Sequence, residues 1–283
     1  MLKINNLVVV SDTHCGCRLG LCPPEGIVLD DGGTYKPSKF QRKMYEYWDY
    51  FWEKWVPDAT RGEPYAVVHN GDAIDGRHHG STTQISQNIE DQIRIAEALL
   101  KPIVEKCDGR YYHIRGTEAH VGQSAENEER LARALGAIPN KEGMYARYDL
   151  WKSVGPKLVH LLHHIGATGS QAYEATAVHK ELVEEYTEAA RWGRKAPDII
   201  VRSHRHRSIQ TSFPTQAPGE KHETSKAIAV VTPCWQGRTP FAWKIPGARL
   251  ATPQFGGILI RYTDDGELFV REIVWTVDRS PTE

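Results

Sequence analysis

The stretch "VVVSDTHCGC" at residues 8–17 places two polar side chains directly after a run of valines. The valines predict a fully buried strand, because β-branched residues favour strands and the run itself contains no polar residue. Asp12 and His14 follow with one residue between them, so in extended backbone both side chains would point to the same side. Alone, this pattern is more often a turn with a capping Asp and a surface His than a metal site. The other strands decide between the two.

The composition limits the classes of protein to which the chain can belong. Its 283 residues are enough for one substantial core, and 35 Lys and Arg against 36 Asp and Glu give a net charge of -1. Without a general positive charge, tight sequence-independent binding of nucleic acid is not expected. No apolar run approaches the roughly 20 residues that span a bilayer. The chain opens without a secretory signal and its five cysteines form no disulfide pattern, so we expect a cytoplasmic protein.

Short apolar runs of strand length alternate with helical patterns in the first two thirds of the chain. The predicted strands are Leu7–Val10, Tyr65–Val68, Tyr111–Ile114, Leu158–Leu162 and Ile199–Val201. The clearest helix lies within 38–55, where apolar residues recur every three or four positions after Ser38, the predicted N-cap. Further helical patterns cover 85–106, 126–135 and 171–193.

The last third of the chain changes character. Strand patterns dominate after about residue 226, and the chain shows no internal repeat. Alternating strands and helices followed by strands predict an α/β protein built in layers around one core. We expect a single domain over residues 1–283, with a helical insertion at about 17–60 and a β-rich part at about 226–276.

Acidic residues and histidines follow the end of every predicted strand. They are Asp12 and His14, then Asp72 and Asp75, then Glu118 and His120, then His163 and His164, and finally His204 and His206. In open α/β sheets, ligands bind outside the carboxyl ends of the strands, so these residues are expected to meet at one edge. Each pair alone is a common turn sequence, but five coincidences predict a metal site. Carboxylate and imidazole ligands suit hard to borderline divalent ions.

The order of these residues resembles the calcineurin-like metallophosphoesterase superfamily. The shared pattern is Asp-x-His, Gly-Asp-x-x-Asp, Gly-x-x-x-His, an isolated His and x-His-x-His, and it covers residues 7–207. The strings "DTHCG", "GTEAHVG" and "TPCWQGRTPFAWK" also resemble phage- and prophage-encoded members. The resemblance implies a four-layer fold, in which helices flank a β-sandwich, and two metal ions at the strand ends.

The resemblance also implies which residues hold the two ions. One set is Asp12, His14, Asp72 and His206, and the other is Asp72, His163 and His204, so that Asp72 bridges the ions. The family's third motif contains an Asn ligand that is absent from "GTEAH". By position Thr117 replaces it, whereas by ligand chemistry Glu118 is the better candidate, and both stay open. His163 ranks above the alternative His164, because it comes directly off the strand.

The implied function is hydrolysis of phosphodiester bonds in a nucleotide or nucleic-acid-type substrate, through attack by a hydroxide that bridges two metal ions. Manganese is favoured over iron, zinc or nickel. His120 is expected to donate a proton to the leaving oxygen, and Asp75 to orient His14 or to hold a water. Arg115 and Arg205 are expected to bind the substrate phosphate.

Two alternatives stay open. A phosphomonoesterase of the same fold would use the same ligands. The altered third motif also fits a catalytically inactive scaffold that binds other proteins, although such a scaffold has no use for the retained Asp and His residues. Apart from a phosphate ester, the chain predicts no partner, no membrane association and no particular oligomeric state.

Overall fold

Two β-sheets packed face to face form the centre of the protein. The structure, a computed structural model, describes residues 4–78, 80–166, 171–215, 225–245 and 251–276. In this described part, the first sheet has the spatial order β13 (Leu268–Thr276), β12 (Gln254–Tyr262), β1 (Asn6–Val10), β4 (Ala66–Asn70), β5 (Tyr111–Ile114) and β6 (Ala146–Arg147). The second has the order β10 (Ile209–Thr215), β11 (Ser225–Val231), β9 (Ile199–Arg202), β8 (Lys157–Leu162) and β7 (Asp149–Val154). A small ribbon joins β2 (Ile27–Val28) to β3 (Thr34–Tyr35).

The side chains of β1 show why the sheets are layered. Leu7 and Val9 pack into the core between the two sheets, whereas Val8 and Val10 pack on the outer side of the first sheet. All four are fully buried, as the run of valines predicts. Burial of each such side chain contributes roughly 1.5–3 kcal/mol. A strand that is buried on both faces must lie in the middle of a layered fold.

Helices cover the outer faces of both sheets. They are α1 (Lys39–Tyr50), α2 (Val56–Thr60), α3 (Ile89–Lys106), α4 (Glu118–Val121), α5 (Glu126–Ala134), α6 (Glu174–Arg191) and α7 (Pro240–Lys244). Helices α1, α3 and α5 bury apolar residues against the first sheet. Helix α6 covers the second sheet through Val178 and Leu182. The layers are therefore helix, sheet, sheet and helix, which confirms the predicted four-layer α/β fold.

The strands that carry the predicted ligands run parallel. In the first sheet β1, β4 and β5 pair in parallel, and in the second β8 and β9 do so. Parallel pairing brings the carboxyl ends of neighbouring strands to the same edge. These five strands differ from their predicted ranges by no more than two residues at either end, whereas the short β6 and the strands β7 and β10 were not predicted.

Two helices differ from the sequence pattern. The pattern at 38–55 becomes α1 followed by a π-helical turn at Phe51–Trp55, whose wider turn lets Phe51, Trp52 and Trp55 all face the core. The pattern at 85–106 becomes a helix only from Ile89, because the Asn88 side chain accepts a hydrogen bond from the Glu90 amide and begins the helix there.

The structure does not test the predicted organisation as one domain with a helical insertion and a β-rich part, which stays a prediction. Of the predicted range 1–283, residues 1–3, 79, 167–170, 216–224, 246–250 and 277–283 lie outside the described residues. The predicted insertion at about 17–60 contains the β2–β3 ribbon and α1, which contributes Met44 and Trp48 to the core of the first sheet. Among the helices described, none combines the length and the apolar character needed to cross a membrane.

Replacement of Ser38 by Ala is expected to lower the free energy of unfolding by about 1 kcal/mol. Ser38 caps α1 as predicted. Its hydroxyl accepts a hydrogen bond from the backbone N–H of Gln41, and the side-chain oxygen of Gln41 accepts one from the backbone N–H of Ser38. Urea unfolding followed by tryptophan fluorescence measures the effect. Ser38→Asn, which keeps a capping oxygen, is the control. An unchanged midpoint in Ser38→Ala would contradict the role of this cap.

Candidate metal centre

The loops after β1 and β4 continue the pairing of these parallel strands into the site. The amide of Asp12 donates to the carbonyl of Gly71 at 2.9 Å, and the amide of His14 donates to the carbonyl of Asp72 at 3.1 Å. These bonds place the predicted ligands of the first two strands side by side, at the edge where both strands end.

The second sheet delivers its ligands to the same place. The Ser203 amide donates to the His163 carbonyl at 3.0 Å and joins the ends of β8 and β9. The His204 amide donates to a carboxylate oxygen of Asp12 at 3.3 Å, so the two sheets meet at this edge. Residues from strand ends far apart in sequence therefore converge, as the rule for open α/β sheets predicts.

Ligand atoms from these strand ends form overlapping groups, and within each group all of them lie within 4.8 Å of one another. The groups are Asp12, Asp72, His163 and His204; then Asp12, His14 and His206; then His14, Asp72 and His120. Asp12 and Asp72 each take part in more than one group. Two carboxylates thus lie between imidazoles on several sides, an arrangement that could hold more than one divalent cation.

The site is buried on one side and open on the other. Asp12, Asp72 and His163 have no exposed surface. The side chains of His204 and His206 are 44% and 24% exposed. Buried carboxylates are stable only with partners, so the closed side needs compensating positive charge. The open side gives a small molecule access to the two histidines.

The ring of His163 shows that a cation fits the closed side. Its Nδ1 lies 2.6 Å from the carbonyl oxygen of Asn70 and must donate a proton to it. In the neutral ring, Nε2 then carries a lone pair, and this atom lies 3.1 Å from Asp72 Oδ2. Burial lowers the pKa of His163, but the Asp72 and Asp12 carboxylates and the Asn70 carbonyl together outweigh burial, and the pKa rises to about 9. A proton or a metal ion between the two atoms satisfies both of them.

A second set of imidazole and carboxylate ligand atoms lies near Asp12. Nε2 of His14 is 3.2 Å from Nε2 of His206, and the latter is 3.3 Å from Asp12 Oδ1. That carboxylate oxygen is buried and has no hydrogen-bond partner among the described residues. Two imidazole nitrogens and a carboxylate oxygen that face one another match the ligand set of borderline divalent ions.

The backbone at five of the candidate ligands is left-handed, which no pattern in the sequence predicts. The φ angles are 53° at Asp12, 42° at His14, 55° at Asp72, 71° at His204 and 56° at His206. Non-glycine residues with such angles are uncommon, and each costs of order 1–3 kcal/mol where the surroundings enforce it. The expected extended backbone at Asp12 and His14 is therefore wrong, although their ligand atoms do lie together in one group.

Thr117 and Glu118, the two alternatives for the third motif, take different positions. The Thr117 amide donates to Asp72 Oδ1 at 2.7 Å, and its hydroxyl lies 3.1 Å from the same oxygen. Glu118 is exposed and belongs to none of the ligand groups of the described residues. The structure thus brings Thr117 to the site and leaves the Glu118 carboxylate outside it, because Glu118 begins α4 with its side chain toward solvent.

The two adjacent histidines after β8 also separate. His163 belongs to the group around Asp72, whereas His164 is exposed and belongs to no group among the described residues. Their rings are almost perpendicular, with centroids 5.4 Å apart. The structure thus places His163 beside the candidate ligands, and its role as a metal ligand stays a prediction.

His120 and Asp75 lie together beside the ligand groups. Nδ1 of His120 donates to the Asp75 carbonyl at 2.6 Å, and the ring packs edge-on against His14 with centroids 4.5 Å apart. Burial lowers the pKa of His120 to about 4, against the opposing charge of Asp72. Asp75 Oδ1 lies 3.5 Å from His14 Nδ1, the position expected of a residue that orients this imidazole.

The two arginines predicted to bind phosphate have partners elsewhere. Nε of Arg115 donates to the Ala146 carbonyl at 2.8 Å, and the guanidinium lies 4.3 Å from the centroid of the Tyr148 ring. The guanidinium of Arg205 donates to the Gly166 carbonyl. Both guanidinium groups are therefore engaged by backbone carbonyls.

Several polar residues of the site carried no recognisable signal in the sequence. Gln84 and Gln236 donate to the two oxygens of Asp75 at 2.9 and 3.2 Å. His78 forms a further group with Asp75 and His120. Glutamines in loops are common, so only the three-dimensional contact reveals them. His78, in "GRHHG" shortly after Asp75, could have been noted from its position.

Comparisons with known proteins give likenesses in structure only. No protein-family model matches the chain, and no curated protein matches it. Vps29 from Chaetomium thermophilum is 11% identical with a TM-score of 0.38, over 96% of this chain and 98% of that one. A novel archaeal phosphodiesterase is 10% identical with a TM-score of 0.41, over 95% of this chain and 99% of that one. A 5'-nucleotidase from Candida albicans is 12% identical with a TM-score of 0.32, over 94% of this chain and 54% of that one.

These three TM-scores are all below 0.5, so the likenesses carry no argument about what the chain does. The fold rests on the sheets and helices described above, and the chemistry rests on the geometry of the strand ends. The resemblance to phage-encoded members stays a prediction.

Replacement of Gly71 by Ala is expected to weaken Mn²⁺ binding by about 10–100-fold, the usual effect of disturbing a group that orients a ligand. A Cβ at Gly71 would lie 2.4 Å from Nδ1 of His163, so this ring would have to leave its position. Titration calorimetry on metal-stripped protein measures the affinity.

Gly143→Ala is the matched control for this experiment. Gly143 has φ +82°, close to +90° at Gly71, but an added Cβ meets nothing within 4 Å. Both variants carry backbone strain, and only Gly71→Ala disturbs the ring. Equal Mn²⁺ affinities in the two variants would contradict the role given to His163.

Proposed function

We propose that the protein is a metal-dependent phosphoesterase that hydrolyses phosphodiester bonds in nucleotide or nucleic-acid-type substrates. The observation that carries this proposal is two adjacent sets of ligand atoms, one from Asp72 and His163 and the other from Asp12, His14 and His206. A cation at either set would compensate a buried carboxylate, and the two sets lie in overlapping groups. Two adjacent cations are the arrangement that phosphoryl-transfer enzymes use to bind both the attacking and the leaving oxygen.

The donor atoms suggest how the cations would be shared. His14 and His206 would hold one cation, and His163 and His204 the other, with Asp12 and Asp72 between them. Thr117 would orient Asp72 through its amide and hydroxyl, in place of a direct amide ligand. Oxygen and imidazole donors without a thiolate are compatible with manganese, which we favour over iron, zinc or nickel.

The chemistry divides between the cations and the side chains. When bound, the cations would supply a hydroxide at neutral pH and neutralise the nonbridging phosphate oxygens. Asp72 and Asp12 would fix the distance between the two sites, and the Asn70 carbonyl would fix the tautomer of His163. His120 would face the leaving oxygen. The negative charge of a bound phosphate would favour its protonated ring, against the effect of burial on its pKa.

The contacts of the arginines favour a diester over a monoester. A terminal phosphate carries up to two negative charges and is commonly held by a bidentate Arg. Arg115 and Arg205 instead donate to backbone carbonyls. A diester carries a single negative charge, which two cations and the exposed histidines can match.

Asp72→Asn is expected to abolish Mn²⁺-dependent hydrolysis of bis-p-nitrophenyl phosphate. The rate should fall by well over the roughly 100-fold that is usual for a residue that only orients a metal ligand. The substitution keeps the shape of the side chain and removes the charge that the cations share. Release of p-nitrophenolate measures the rate. Asp108→Asn is the control, because Asp108 is exposed and has a similar left-handed backbone, with φ 48° against 55°.

The same assay separates the competing functions. Faster hydrolysis of the diester than of p-nitrophenyl phosphate supports the phosphodiesterase, and the reverse order supports a phosphomonoesterase. Wild-type protein that hydrolyses neither ester and binds no Mn²⁺ would overturn the enzyme and favour a protein-binding scaffold.

His120→Asn is expected to lower kcat by about 10²–10⁴-fold on a dinucleotide, the usual size of general acid catalysis. The effect on bis-p-nitrophenyl phosphate should be much smaller, because p-nitrophenolate leaves without a proton. Steady-state kinetics on both substrates measure the difference, with His164→Asn as the control at an exposed histidine. Equal losses on both substrates would show that His120 binds a cation or supports the loop instead of donating a proton.

A further inference from the structure

Glu128 is a carboxylate that the proposed function does not use. It lies in the first turn of α5 and has no exposed surface. Glutamate is almost never fully buried unless its charge is compensated. Its two oxygens accept backbone hydrogen bonds, from the Ala73 amide at 2.8 Å and from the Gly116 amide at 2.6 Å. A single side chain therefore joins two separate loops.

These two amides flank the candidate site. Ala73 follows Asp72 in the loop after β4, and Gly116 precedes Thr117 in the loop after β5. The paired strands themselves end at Asn70 and Ile114. Beyond that point the parallel ladder no longer fixes the distance between the loops, and the Glu128 carboxylate bridges them instead.

The distance between the loops controls the position of Asp72. The Thr117 amide and hydroxyl both bind the Asp72 carboxylate, so a shift of either loop would move this side chain. The fit is tight, because a Cβ added at Gly116 would lie 2.0 Å from Asp72 Oδ1. A group that sets the spacing of the loops thus sets the direction of the central carboxylate.

A buried polar layer extends from Glu128 to the first strand. Nε2 of His113 lies 3.6 Å from Glu128 Oε1, and the ring of His113 stacks on that of His69 with centroids 5.1 Å apart. Nε2 of His69 in turn lies 3.1 Å from the hydroxyl of Thr13, in the loop after β1. This buried polar layer therefore contacts β5, β4 and the loop after β1.

We propose that Glu128 is a positioning residue, which fixes the spacing of the loops after β4 and β5 and so orients Asp72 to bind a cation. This proposal rests on the proposed function, in which Asp72 belongs to the metal centre. If Glu128 only anchored α5, its loss would lower the stability of the protein and leave the metal affinity unchanged.

Glu128→Gln tests the proposal, because it keeps the shape of the side chain and turns one acceptor into a donor that faces a backbone N–H. Calorimetry on metal-stripped protein is expected to show Mn²⁺ affinity reduced by about 10–100-fold. Hydrogen exchange at the Ala73 and Gly116 amides should become faster. Glu128→Asp keeps both acceptors at a shorter reach and should recover part of the affinity. It is the deciding variant if Glu128→Gln does not fold.

Asn6→Ala is the matched control. Asn6 is buried at the opposite, amino end of β1, where its side-chain oxygen accepts from Arg261 at 2.8 Å. Its loss should lower the melting temperature and leave the Mn²⁺ affinity unchanged. Wild-type affinity in folded Glu128→Gln, or an equal loss in Asn6→Ala, would overturn the proposal.

The two proposals fail in different measurements. Wild-type protein that binds no Mn²⁺ would overturn the proposed function. Hydrogen exchange at the Ala73 and Gly116 amides can be measured without metal. An unchanged exchange rate at these amides in Glu128→Gln would by itself overturn the positioning role.

Discussion

The interaction between Asp72 and His163 is the constraint on which the site depends. Both side chains are fully buried, with 3.1 Å between the carboxylate oxygen and Nε2. Burial alone would raise the pKa of Asp72, but the surrounding histidines, His163 foremost, together outweigh burial, and the pKa lies well below its usual value. Removal of one partner from a buried pair leaves an uncompensated charge, which costs about 3–5 kcal/mol. The two sheets that carry Asp72 and His163 must therefore keep their relative position.

The left-handed backbone at five candidate ligands adds a second local cost. Asp and His accept such angles better than most residues, but each turn still lowers the stability of the loop. The turns persist because the core of the sandwich is closely packed and because backbone bonds, such as that from Asp12 to Gly71, hold the loops. Rigid loops suit a metal centre, since ligands that are already in position lose little entropy when a cation binds.

Polar side chains replace the strand ladder where the ladder ends. Glu128 bridges the loops after β4 and β5, and Gln84 and Gln236 hold Asp75. The common feature is a buried carboxylate that accepts hydrogen bonds from the protein, because an unmade bond in this environment costs about 1–3 kcal/mol. Such residues determine the geometry of a site without touching a ligand, which explains why the composition of the strand ends alone does not describe it.

The sequence by itself determined the layered α/β fold and the strand ends that carry the Asp and His residues, because buried strands and their polar ends are local patterns. The sequence also predicted Ser38 as the N-cap of α1. Only the tertiary structure decided that Thr117 and not Glu118 contacts Asp72, and that Arg115 and Arg205 have partners elsewhere. It also decided that Glu128 lies beneath the site. These features depend on backbone turns and on contacts between residues far apart in the chain, and neither leaves a periodic pattern in the sequence.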